Sequence, residues 1–132
     1  MRPRLEARSV LDASAVLAYL QREAGHERVG SALADGAAIS AVNLAEVYAK
    51  AVERGISSEE VRARIKALGL LVVKFDEDDA LQSAALYPKA RAAGLSLGDR
   101  ACLALGQRLG LPVLTADQAW KRVPGIRLEL LC

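Results

Sequence analysis

Five short apolar runs, separated by longer stretches whose apolar residues recur at helical spacing, constrain this chain more than any other feature. Ser9-Val10-Leu11-Asp12, Ala37-Ala38-Ile39-Ser40, Leu70-Leu71-Val72-Val73, Pro112-Val113-Leu114-Thr115 and the segment 126–130 are long enough for strands and too short for helices. The intervening segments read as helices. Residues 13–21 carry Val16, Leu17 and Leu20 on one face, Gly25 breaks the pattern, and 27–34 resumes it. Ser40 caps a helix running through Asn43, Glu46 and Lys50 to Arg54, where Gly55 closes it. Ser57-Ser58-Glu59-Glu60 resembles a capping box opening a helix to 68. Residues 77–93 form a long helical stretch that Pro88 must kink or restart and Gly94 ends, and Ser96 to Leu109 is a further helix.

Strands alternating with helices on short connections predict a mostly parallel sheet, because parallel neighbours need crossovers, and crossover helices cover both faces. The expected fold class is therefore α/β, with 1–132 as a single domain. Aromatic residues are only 4% of the chain, so the core must be aliphatic and close-packed. Residues 1–8, with Arg2, Arg4 and Arg8, read as a basic extension that either frays in solvent or touches phosphate.

The charge balance of 18 Lys+Arg against 16 Asp+Glu neither demands nor excludes a nucleic-acid partner. Cys102 and Cys132 form no C-x-x-C pair and stand far from His26, the only histidine, which argues against a disulfide scaffold and against zinc. The first residues do not form a signal peptide, and no run reaches membrane-spanning length, so a cytoplasmic protein without a membrane partner is expected.

Ligands of parallel α/β sheets sit at the carboxyl ends of the strands. That rule selects Asp12, after the first strand, and Asp117, after the fourth. Glu46 and Asp99 lie near the starts of helices able to border the same crevice. Each has an ordinary explanation: Asp12 and Asp117 as helix caps, Ser96 and Asp99 as a capping box, Glu46 and Lys50 as an exposed ion pair. Clustered carboxylates repel one another, so together they make sense mainly around cations. Hard oxygen ligands suit Mg²⁺ or Mn²⁺, ions that activate water for in-line attack on phosphorus and steady the leaving oxygen.

Four blocks in order carry a family resemblance over nearly the whole chain: Val10-Leu11-Asp12-Ala13-Ser14-Ala15, Asn43-Leu44-Ala45-Glu46-Val47, the run from Gly94 through Asp99 to Ala104, and Leu114-Thr115-Ala116-Asp117-Gln118-Ala119-Trp120. In these the chain resembles the PIN-domain ribonucleases, in particular the VapC-type toxins of prokaryotic toxin–antitoxin pairs. The resemblance implies a three-layer α/β/α sandwich and endonucleolytic cleavage of structured RNA. Asp12, Glu46, Asp99 and Asp117 then match the acidic quartet that holds Mg²⁺ or Mn²⁺, and Ser14, Asn43 and Thr115 match its polar border. A cognate VapB-type antitoxin and a homodimer are the implied protein partners.

Arg91, Arg100, Arg108, Lys121 and Arg122 flank the cluster and read either as phosphate contacts or as solvated surface charge. Trp120 either stacks on a base or packs at the sheet edge. His26 reads as a solvated side chain without a role, and Tyr19 and Tyr48 as helix residues available to a dimer or antitoxin interface. Four other readings compete. An aspartyl-phosphate enzyme would need a second Asp where Ser14 stands, a receiver domain would need an acidic pair before its phosphorylated Asp, and a dinucleotide site would need a Gly-rich loop after the first strand. A non-catalytic module of the same fold that binds RNA or protein is the alternative that fold alone leaves open.

Overall fold

The computed structural model describes residues 7–117, 120–121, 123 and 127–130. The elements follow the order β1 (Ser9–Leu11), α1 (Ala13–Leu20), α2 (His26–Asp35), β2 (Ala37–Ser40), α3 (Ala41–Glu53), α4 (Ser58–Ala67), β3 (Leu71–Val73), α5 (Glu77–Ala85), α6 (Tyr87–Ala92), α7 (Leu97–Leu109), β4 (Val113–Thr115) and β5 (Leu128–Leu130). The strands form one sheet in the order β3-β2-β1-β4-β5, every neighbouring pair parallel. The α/β architecture expected from the alternation is the one observed. Its helical boundaries shift by a residue or two, and the 77–93 stretch is two helices with Pro88 in the first turn of the second.

Alternate residues of the strands point to opposite faces, and this parity builds two cores. Leu11, Ile39 and Leu114 pack with Val16, Val29, Val47, Val61 and Ile65 from α1 to α4. On the other face Val10 and Val113 pack with Leu86, Ala90, Leu103, Leu105 and Trp120. Helices thus cover both faces of the sheet in three layers. The central strands β1 and β2 are fully buried, while β3 at one edge is half open to solvent, which fits their order in the sheet.

Local chemistry sets the helix starts. Ser57 caps α4 through Glu60 N–H, but the reciprocal half of a capping box is formed at Asp76/Asp79 and Ser96/Asp99 instead. Helix α7 ends at Gly110, whose φ of 68° is left-handed and comfortable only for a residue without Cβ. Among the described residues no helix is long and apolar enough to cross a membrane.

Candidate functional site

Asp12 leaves β1 at its carboxyl end and caps α1: its Oδ1 accepts from Ala15 N–H at 2.8 Å. The ordinary reading of this residue as a cap is therefore realised, and more is built on it. Ser14 Oγ donates to Oδ1 at 2.8 Å, and Thr115 Oγ donates to Oδ2 at 2.5 Å. Both hydroxyls are oriented by the turn after β4, where Ala116 N–H donates to Ser14 and Asp117 N–H donates to Thr115, each at 3.0 Å. Asp117 is thus tied to Asp12 through Thr115, and its exposed position places it at the rim. Pairing of β1 with β4 brings these two strand ends together.

Asp12 is only 4% exposed, and burial lifts its carboxyl from 3.8 to about 6 even though the three hydrogen bonds pull it down. The negative charge of Asp99 adds to the rise. Among the described residues, no cationic side chain is one of the groups that act on it.

Asp99 lies at the third position of α7, where Oδ2 accepts from Ser96 N–H at 2.9 Å and Ser96 Oγ accepts from Asp99 N–H at 3.2 Å. The capping box is real, and it fixes the carboxylate at the helix N-terminus without removing it from solvent. Glu46 does not pair with Lys50, which lies 3.4 Å from Glu53 instead. Glu46 Oε1 accepts from Asn43 Nδ2 at 2.9 Å, and the same amide donates to Gly98 O at 2.9 Å, joining α3 to α7.

Cys102 lies within the fields of three of the acids. It is fully buried, and its thiol is pushed well above its ordinary value by burial and then by the negative fields of Asp12, Asp99 and Glu46. The fields of three of the four acids thus reach one residue of α7, and Asp117 is linked to Asp12 through Thr115. Cys102 and Gly98 are site residues that sequence reading did not single out. A small buried residue one turn after Asp99 looks the same in sequence whether or not carboxylates lie over it.

All-oxygen donors, an uncompensated buried carboxylate and an unpaired buried Asn43 Oδ1 beside Glu46 fit a hard divalent cation. Among the described residues no three Asp, Glu, His or Cys side chains stand close enough to enclose such an ion by themselves.

The basic and aromatic candidates separate. Arg91 and Lys121 are exposed, and Arg122 lies outside the described residues, as do Arg2, Arg4 and Cys132. Arg100 is turned inward, donating to Ser83 O at 3.2 Å with its guanidinium 5.3 Å from the Tyr87 ring centre. Arg108 pairs with Asp79 at 3.2 Å. Trp120 is 1% exposed and belongs to the core, so the packing reading holds and base stacking does not. His26, expected to be solvated, is half-buried and lines a cavity of about 470 Å³ with Tyr19, Arg22 and Arg64. Tyr19 and Tyr48 both pack against the core of the α1–α4 layer.

An all-parallel five-stranded α/β/α sandwich, with Asp12 after β1 hydrogen-bonded to Thr115 at the end of β4, defines a class. The PIN domain family profile matches residues 9–126, and this chain belongs to that family. Similar folds occur in DNA-bound VapBC from Salmonella typhimurium (21% identity, TM-score 0.73, 95% of this chain and 98% of that one). FitAcB from Neisseria gonorrhoeae (19%, 0.67, 93% and 97%) and VapBC-5 from Mycobacterium tuberculosis (22%, 0.56, 94% and 97%) are also similar. No curated protein matches the chain in sequence.

Proposed function

We propose that this chain is an Mg²⁺- or Mn²⁺-dependent endoribonuclease, the toxin of a toxin–antitoxin pair. The observation that carries the reading is Asp12: a carboxylate 4% exposed, held by three donors, raised to about 6 and, among the described residues, acted on by no cationic side chain. A buried charge left uncompensated is costly, and a bound divalent ion removes that cost. The similarity in fold to VapBC complexes and the match of Asp12, Glu46, Asp99 and Asp117 to the family's acidic quartet support the same conclusion.

In this reading each residue has a task set by its position. Asp12, fixed by Ser14 and Thr115, supplies the most buried oxygen ligand. Glu46 and Asp99 supply partly exposed oxygens from α3 and α7, and Asp117 completes the rim. When bound, the cation contributes positive charge against these carboxylates and the scissile phosphate. Carboxylates supplied from separate elements, Glu46 and Asp99 partly exposed, would leave coordination positions for water and for phosphate oxygens, as a nuclease requires. Arg91 and Lys121 are placed on the exposed surface available to RNA phosphates, while Arg100 contributes to packing. A VapB-type antitoxin and a second copy of the chain are the protein partners of this reading.

The test is cleavage of structured RNA with Mg²⁺ or Mn²⁺ and with EDTA. Asp12→Asn and Asp99→Asn should each reduce cleavage on the order of 100-fold or more while circular dichroism stays native. If both variants cut RNA as the unmodified protein does, the site assignment is wrong. EDTA-insensitive RNA binding without cleavage would instead favour the non-catalytic module.

A further inference from the structure

Gly98 has no part in the reading above, yet the Glu46 carboxylate lies against it. A Cβ at residue 98 would stand 2.7 Å from Glu46 Cδ and 2.8 Å from Oε1, and closer still to Oε2. The carboxylate therefore occupies the space that any other residue would fill at the second position of α7. Asn43, three residues before Glu46 on α3, completes the arrangement by donating to both Glu46 Oε1 and Gly98 O. Both amide hydrogens are then used, and Asn43 Oδ1 is left without a hydrogen-bond partner in a residue only 1% exposed. A buried amide that leaves its acceptor unpaired is a poor device for stability alone. What its donors fix is the Glu46 carboxylate on the first turn of α7.

We propose that Gly98 is a positioning residue. By lacking a side chain it lets Asn43 hold Glu46 against α7, which sets the spacing between Glu46 and Asp99, the residue next to Gly98, and so their joint affinity for a divalent cation. The inference rests on the proposed cation site. Gly98 lies inside a helix and is not among the glycines with positive φ, so alanine meets no backbone obstacle there. A glycine with only a helical role would be improved by alanine. The clash falls on the free end of Glu46, so the side chain gives way and the helix survives.

The experiment uses the full chain with Mn²⁺ alone as probe, by titration calorimetry, beside thermal unfolding in EDTA and RNA cleavage. Gly98→Ala should unfold at the same temperature as the unmodified protein or higher, bind Mn²⁺ at least tenfold more weakly and lose cleavage in proportion. Asn43→Ala, which releases Glu46 without adding a Cβ, should weaken Mn²⁺ binding as well. The two effects should not add, because both substitutions free the same carboxylate. Binding by folded Gly98→Ala within twofold of the unmodified protein overturns the role of Gly98, whatever Asn43→Ala does. Failure of the unmodified protein to bind Mn²⁺ overturns the cation site, and this inference with it.

Discussion

Asp12 combines three hydrogen bonds with a carboxyl that burial still raises from 3.8 to about 6. Between those two values the folded protein holds a proton that the unfolded chain releases, so stability falls as pH rises through the window from about 4 to 6. Above it the ionised group carries its full penalty, ~3 kcal/mol as an upper bound for a rise from 3.8 to about 6. In EDTA, Asp12→Asn is therefore expected to be more stable than the unmodified protein at pH 7.5, with the advantage disappearing below pH 4. Added Mg²⁺ should raise the unfolding temperature of the unmodified protein more at pH 7.5 than at pH 5, and do little for the variant. Thermal unfolding across pH with and without Mg²⁺ measures both; a variant no more stable at pH 7.5 would remove burial as the dominant influence.

Helix α7 carries the most information per residue among the elements. Its first turn presents Asp99 through the capping box and Gly98 to Glu46, its second turn buries Cys102, and its third packs Gly106 on the sheet. A Cβ on Gly106 would come 2.5 Å from Val113 Cγ2 and 3.2 Å from Leu111 O, and neither neighbour has a free end to move. The two helical glycines should thus respond oppositely to alanine. Gly106→Ala is expected to destabilise the fold by about 1–3 kcal/mol through overpacking, despite the gain in helix propensity. Urea unfolding of this variant beside Gly98→Ala checks the contrast, and equal stabilisation of both would refute it.

The whole molecule is two aliphatic cores sharing one sheet, and Trp120, the only tryptophan, sits in the core on the α7 side. At 1% exposure its emission should be blue-shifted, move red on unfolding and change little when RNA is added, since no base reaches the ring. Strong quenching by RNA at concentrations that leave the fold intact would contradict this placement. Trp120→Ala should cost about 3–5 kcal/mol, a loss of core rather than of a substrate contact.

Sequence by itself determined the elements and the acids. Helix starts, strand runs and the break at Pro88 arise from contacts within a few residues, so spacing and capping chemistry reveal them, and the order of strands and helices fixes a parallel sheet. The same local rules offered each acid an ordinary role, and two of those roles, the Asp12 cap and the Ser96/Asp99 box, are formed in the structure. Only the tertiary structure decided that Asn43 and Gly98, rather than Lys50, hold Glu46, that Arg100 and Trp120 face inward, and that Cys102 is buried within the fields of three carboxylates. These contacts join residues far apart in the chain, 103 positions for Thr115 with Asp12 and 55 for Asn43 with Gly98. Such pairs depend on which strands become neighbours in the order β3-β2-β1-β4-β5 and on how helices cross above them, information that no local pattern contains.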